Sequence, residues 1–270
     1  MDALFEDILE QLKICDLGTL HSHEETIPGN LLRLKEAMLN IGQLVDPLLV
    51  DKKSRVVLDG NHRIKVLSMI KCPRAVCQFV DYSRPDIKIG TWFPVSEKIA
   101  FENVKSAGLK LDAVDFEIGL KSLADKKAPF MIAKKNSGKK EYALVEPGSY
   151  DLDGLMAEQK RVLGKLNGGE TSFQYYSDEE ASGWVEKGKT VMYRKVYTKE
   201  EIVERALEGK VFSPKSTRHV IPNRIIRLNM RLGWLHEGET EATAYLERIL
   251  KERVYNGNIR RYSEPVIVIY

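Results

Sequence analysis

The sequence predicts an α/β (α+β) protein. Two kinds of segment carry that reading. Charged stretches hold apolar residues at helical spacing, and short β-branched runs are bounded by turn residues. The two kinds alternate along the chain, which is the pattern of mixed layers. With 270 residues there is room for one large domain or two ordinary ones. A composition of 43% hydrophobic and 30% charged residues suits a soluble globular chain.

The elements follow in order. Residues 1–20 read as a short helix and a lead-in, and 21–28 as a polar turn. Leu31, Leu34, Met38 and Ile41 share one helical face. Residues 47–50 and 55–58 are two strands joined by a charged turn. Asp59-Gly60 ends the second, and a helix starts at once over 61–70, with Ile64, Leu67 and Ile70 on one side. Strands at 75–80 and 87–93 and a helix at 95–107 come next. Lysine-rich turns surround 124–140, so a boundary is expected between 110 and 125. A hairpin pairs 130–133 with 142–145. A helix at 152–166 and a strand at 171–176 follow. The helix at 178–187 has Asp178 and Glu179 at its positive end. A strand at 191–196 precedes a helix at 198–207, which opens on Thr198 and Glu201 as a capping box. Ile226, Leu228, Met230 and Leu232 alternate as in a half-buried strand. A helix at 240–254 and a strand at 265–270 close the chain. The expected division is 1–115, 116–232 and a helix-strand extension at 233–270.

Bulk properties exclude several function classes. No run of about 18 apolar residues occurs, so no membrane partner is expected. The N-terminus lacks the basic start and apolar centre of a secretory signal, and a cytoplasmic location follows as the expectation. A net charge of +3 is too weak to argue for nucleic acid as a partner. Cys15, Cys72 and Cys77 make no disulfide framework and no paired metal motif. They read as buried thiols.

Three stretches could carry chemistry. In Arg55-Val-Val-Leu-Asp-Gly-Asn-His-Arg63 a strand runs through a glycine turn into a helix start, whose outward N–H groups attract phosphate. Gly60 permits close approach of the main chain. His62 and Arg63 add donors, and Asp59 is placed to hold a Mg²⁺ that bridges phosphates. The alternative is a tight turn with a charged helix start. Phe212-Ser-Pro-Lys-Ser-Thr-Arg-His219 is polar and cationic between apolar segments. It suits a carboxylate or phosphate, or else it is a solvated loop. His21-Ser-His-Glu-Glu25 sets an acid beside histidines, as a general base or a surface turn. A zinc reading there lacks a third ligand. Gly183 to Thr190 matches the Walker A letters, but that loop needs a strand before it and a helix after it, and here the order is reversed.

Asp59-Gly60-Asn61-His62-Arg63 resembles the phosphate-binding motif of the ParB/sulfiredoxin superfamily. Sulfiredoxins carry a cysteine where Asn61 stands. Chromosome-partitioning ParB proteins usually have an Arg-Arg pair followed by a helix-turn-helix region, and residues 95–210 do not read that way. The free serine kinases of archaea and of a bacterial siderophore pathway are similar over far more of the chain. Matching blocks are His23-Glu24, Asp59 to Arg63, Thr91-Trp-Phe-Pro94, Gln174-Tyr-Tyr176, Tyr197-Thr-Lys-Glu-Glu201 and Val211 to Val220. The ending Arg261-Tyr-Ser-Glu-Pro-Val266 is more like the bacterial relative.

That resemblance implies a ParB/sulfiredoxin-like nucleotide-binding domain, a second mixed α/β domain and an active site in the cleft between them. It implies ATP or ADP as donor, Mg²⁺ as cofactor, and free L-serine as acceptor. The O-phospho-L-serine formed would serve cysteine or related biosynthesis. The roles it implies are Glu24 as catalytic base and Asp59 as the catalytic acid residue at the metal. Gly60, Asn61, His62 and Arg63 would be the phosphate cradle. Trp92, Ser213, Lys215, Ser216, Thr217, Arg218 and His219 would be the substrate contacts. A monomer or homodimer is expected. The competing expectation is a ParB-like nucleotide-binding regulator associated with DNA.

Overall fold

A computed structural model describes residues 3–167, 173–261 and 266–269, and it is mixed α/β throughout. It divides into two compact units that do not follow the expected linear boundaries. The first comprises residues 1–88, 198–214 and 219–270, and the second 89–197 and 215–218. The C-terminal segment is therefore part of the first unit rather than a separate extension. The physical reason is burial. Ala242, Tyr245, Leu246, Ile249 and Leu250 of the helix Glu239–Tyr255 share one apolar core with Ile8, Leu12, Val76 and Cys77.

The first unit is built on a five-stranded sheet. Its order is Leu12–Asp16, Arg74–Val80, Leu48–Asp51, Val56–Asp59 and His21–Ser22. The two central apolar runs are buried, which is why they show no polar alternation. The turn joining them closes on Asp51, whose carboxylate accepts the Ser54 N–H at 2.8 Å and the Ser54 hydroxyl at 2.6 Å. The helix Pro28–Ile41 opens on proline and ends at Gly42, whose φ of 69° satisfies the left-handed cap. The helix Lys199–Leu207 has the expected capping box: Thr198 Oγ1 accepts from Glu201 N at 3.2 Å, and Thr198 N donates to Glu201 Oε2 at 2.9 Å.

The second unit is a six-stranded antiparallel sheet. Its order is Gln174–Ser177, Trp92–Ser96, Thr190–Tyr193, Phe130–Asn136, Lys139–Val145 and Leu111–Ala113. The hairpin turns on Ser137 and Gly138, both at positive φ, as a two-residue turn between twisted strands requires. Side chains of the strand Phe130–Asn136 alternate between two cores. Phe130 and Ile132 pack with Val162 and Met192, whereas Met131 and Ala133 pack with Phe93 and Leu123.

Three local expectations are corrected, and one element is added. Residues 87–93 are not one strand: Lys88–Gly90 and Trp92–Ser96 are separate. The helix expected at 95–107 is shortened to Phe101–Ser106, because Val95 is claimed by sheet pairing to Gln174 and Val191. A helix, Phe116–Ala124, precedes the lysine-rich turns. The strand expected through 226–232 splits into Arg224–Ile226 and Met230–Arg231, since Arg227 and Asn229 take left-handed φ of 57° and 52°. The Walker A match fails in structure as in order. Gly183 lies inside the helix Ala181–Glu186, and the ammonium groups of Lys187 and Lys189 sit over the Trp184 ring. Parts of the strands expected at 171–176 and 265–270, and most of the tail block at 261–266, lie outside the described residues.

Candidate active site

The first unit assembles its site around the turn after the strand Val56–Asp59. Gly60 has φ of 110°, and a β-carbon there would stand 2.6 Å from Leu48 Cδ2. Only glycine fits, so the helix Asn61–Met69 opens on an N-cap residue that brings no side chain of its own to the first turn.

Asn61 and His62 spend their side chains on the loop that carries Glu24. Asn61, 7% exposed, accepts the His23 N–H through Oδ1 at 3.2 Å. His62 Nε2 accepts the Ile27 N–H at 3.0 Å, which places that ring's proton on Nδ1. The far side of the loop is clamped by strand-like pairing. Phe212 N donates to His23 O and Glu25 N donates to Phe212 O, both at 2.8 Å, so Glu24 bridges Phe212 in parallel. Phe212 is fully buried, and Arg205 holds Val211 O at 3.2 Å from the last turn of its helix. The segment leading to Ser213 is thus fixed alongside Glu24.

His23 is only 1% exposed. Its Nδ1 lies 2.6 Å from Val57 O, which requires the proton on that nitrogen. The amide nitrogen of Asn61, 3.2 Å from the same atom, is then a neighbour and not a donor to it. Burial lowers the His23 pKa to about 4, against the smaller upward pull of the Val57 carbonyl and Asp59. His219 meets the His23 ring edge-on at 5.1 Å, and its Nε2 is 2.7 Å from the Tyr82 hydroxyl. Burial, then the neighbouring His23, lowers its pKa to about 3. Both imidazoles are neutral at pH 7.

Asp59 sits between two guanidinium groups, with Oδ1 3.4 Å from Arg63 and Oδ2 on Arg224. Burial works to raise its pKa, but Arg63 and then Arg224 outweigh it and hold the carboxyl below its ordinary range. Arg63 also donates to Asp46 O at 2.8 Å and Pro47 O at 2.7 Å. The side chains of Asn61 and Arg63 thus bond within the protein, to His23 N and to the Asp46 and Pro47 carbonyls. Among the described residues no group of three His, Cys, Asp or Glu side chains gathers as a metal site. With both Asp59 oxygens taken by arginines, the residues present do not fit a Mg²⁺ held by Asp59 in this arrangement.

The second unit carries Trp92 and residues 215–218. Arg194 donates to the carbonyls of Trp92, at 2.7 Å, and Lys215. Thr91 Oγ1 donates to Ser216 O at 2.8 Å. The Lys215 ammonium lies 5.2 Å from the Trp92 ring centre and the Arg218 guanidinium 5.9 Å. Arg218 is also paired with Asp178 and Glu179. Ser216 and Thr217 are buried, whereas Lys215 is exposed with φ of 63°.

Sequence reasoning missed Arg224, Tyr82 and Arg194. Each meets a partner far away in the chain, and nothing in its neighbours marks it. His23 reads in the sequence only as a neighbour of Glu24 and as half of a zinc pair short of a third ligand.

No family model matches the chain. The ATP-dependent L-serine kinase of Staphylothermus marinus is 32% identical over 234 residues, spanning 77% of this chain and 85% of that protein. The ADP-dependent L-serine kinase SerK of Thermococcus kodakarensis is 30% identical over 228 residues, spanning 80% and 90%. A solved free serine kinase in complex with AMP aligns with a TM-score of 0.68 and 27% identity, over 83% of this chain and 93% of that one. SbnI with C-terminal truncation from Staphylococcus aureus shares the fold, with a TM-score of 0.68 at 18% identity, over 91% of this chain. On the extent and identity of these matches, the chain belongs to the free L-serine kinase family.

Proposed function

We propose that the chain transfers a phosphoryl group from ATP or ADP to the hydroxyl of free L-serine, releasing O-phospho-L-serine. One observation carries the mechanism: Glu24 stands on a loop pinned from both sides, by Asn61 and His62 of the glycine turn and by Phe212. The turn opens a helix on a glycine N-cap, a position whose N–H groups suit phosphate oxygens, and the same residues that shape it fix the acid.

Phosphoryl transfer asks the protein for positioning and charge neutralisation more than for covalent chemistry. Glu24 takes the hydroxyl proton as the serine oxygen forms its bond to the terminal phosphorus. The bond from that phosphorus to the bridging oxygen breaks, and ADP or AMP leaves with the electron pair. The backbone N–H groups of Asn61 and His62 meet the phosphates. Lys215, with Trp92 beneath it, is assigned to the acceptor's carboxylate. Arg218 and His219 are orienting groups, each already held by acids or by Tyr82. Mg²⁺ would add charge neutralisation on the nucleotide, and no step depends on Asp59 binding it.

The relatives support the kinase over the DNA-associated regulator. A cytoplasmic setting goes with the proposal, supported by three free buried thiols. A place in cysteine or related biosynthesis is proposed on the product's identity. The test is to incubate the protein with Mg²⁺, L-serine and either nucleotide and record phosphorus NMR. A phosphoserine resonance with one or both nucleotides is expected. Nucleotide consumption without that resonance, or no turnover with either, overturns the proposal.

A further inference from the structure

The guanidinium expected to take the nucleotide's phosphates, from the motif alone, is Arg63. The structure assigns that task to Arg224 instead, a residue 165 positions from Asp59 in the chain; this rests on the kinase reading above.

The two arginines flank the same carboxylate but differ in commitment. Arg63 is 16% exposed on its side chain. Its Nη1 satisfies two backbone carbonyls, Asp46 O and Pro47 O, and its Nη2 faces Asp59. Turning it toward a ligand would leave those carbonyls without their donor, at a cost typical of buried unsatisfied acceptors. Its Cζ and Nε also lie where Gly60 has no side chain, each 3.3 Å from the position a β-carbon would take. Arg63 is a brace between strand end and turn.

Arg224 has a fixed base and an available tip. The neighbouring Ile225 N donates to Gln78 Oε1 at 2.9 Å, and Gln78 Nε2 donates to Asn223 O at 2.9 Å. Gln78 is fully buried and Ile225 is 2% exposed, so this stretch of backbone is locked into the core. The Arg224 side chain is 34% exposed, and its ion pair among the described residues is with Asp59. A planar guanidinium on a locked base, at the mouth of the turn, suits two-oxygen recognition of phosphate. When Arg224 swings to a phosphate, Asp59 keeps Arg63 as its counter-charge. The carboxylate then holds the brace in place while the free arm carries the ligand. In the absence of nucleotide, Asp59 serves as a stand-in anion that keeps Arg224 oriented.

The test is titration calorimetry with ADP, ATP and adenosine on the full chain and on Arg224→Gln, Arg224→Lys and Arg63→Ala, with melting temperatures recorded for each. The expected result for Arg224→Gln is a roughly 10- to 100-fold loss of ADP and ATP affinity. Its adenosine affinity should stay within about twofold and its melting temperature near that of the parent. Arg224→Lys should recover part of the loss, since a point charge replaces a fork. Arg63→Ala should melt several degrees lower. Unchanged ADP affinity in Arg224→Gln overturns the assignment, as does an equal loss for adenosine. If the parent chain itself binds neither ADP nor ATP, the kinase reading fails first.

Discussion

Removing the Asn61 side chain separates its positioning role from phosphate binding. In Asn61→Ala the buried His23 N–H loses its acceptor, and a buried unpaired donor costs about 1–3 kcal/mol. The same hydrogen bond sets the backbone one residue before Glu24, so the loss reaches the proposed general base directly. A displacement of the order of 1 Å at a reacting group costs roughly 100-fold in rate. The expected outcome is a fall of about 10- to 100-fold in kcat for serine phosphorylation, with ADP affinity within about twofold of the parent. Asn61→Asp is the informative partner. It keeps an acceptor for His23 N but sets a carboxylate beside the His23 ring. It should recover much of the stability and raise the His23 pKa from about 4, visible as an imidazole titration by NMR. Urea unfolding, steady-state kinetics and calorimetry on the three proteins complete the test. Parent-like kcat and stability in Asn61→Ala would refute the reasoning, and so would a loss confined to nucleotide affinity.

Other outcomes follow from the same geometry. Glu24→Gln should lower turnover by roughly 10² to 10⁴ while calorimetric nucleotide binding is kept, and undiminished turnover removes Glu24 from its role. Gly60→Ala puts a β-carbon against Leu48 in a left-handed conformation, and a loss of about 1–3 kcal/mol in urea unfolding is expected; a neutral change would show that the turn yields. His23 binds its proton near pH 4 folded and near 6.5 unfolded, so the unfolded chain holds more protons between those values. Stability should therefore fall with pH by about 1.4 kcal/mol per unit from roughly 6.5 toward 4, with His219 adding in the same direction. The carboxyl of Asp59 adds a loss only below that window, since its pKa is lowered. A flat unfolding free energy between pH 7 and 5 would contradict the burial of both rings as neutral species.

The glycine turn at the centre of the candidate site is legible in the sequence alone. The strand, Asp59-Gly60 and the helix start lie within a few residues of one another, and local order fixes their geometry. The capping box at Thr198 and the hairpin at Phe130 were legible for the same reason. Contacts made across the chain are not legible there. Asn61 and His62 carry side chains that suit phosphate as well as a backbone N–H, and only the fold shows that the loop at 23–27 takes them. Arg224 is one arginine among many until its strand sets it against Asp59. Val95 has helical neighbours, yet pairing on both edges of its strand overrides them. The alternation at 226–232 was real in composition, but two left-handed residues break it in the backbone.

The most direct test is an amide NMR titration of the isotope-labelled protein with ADP. The account predicts the largest shifts at the N–H groups of Gly60, Asn61 and His62, saturating together, with Gly183 and Gly188 unmoved. Shifts gathered at residues 183–190 instead, or a turn silent at saturating nucleotide, would contradict it.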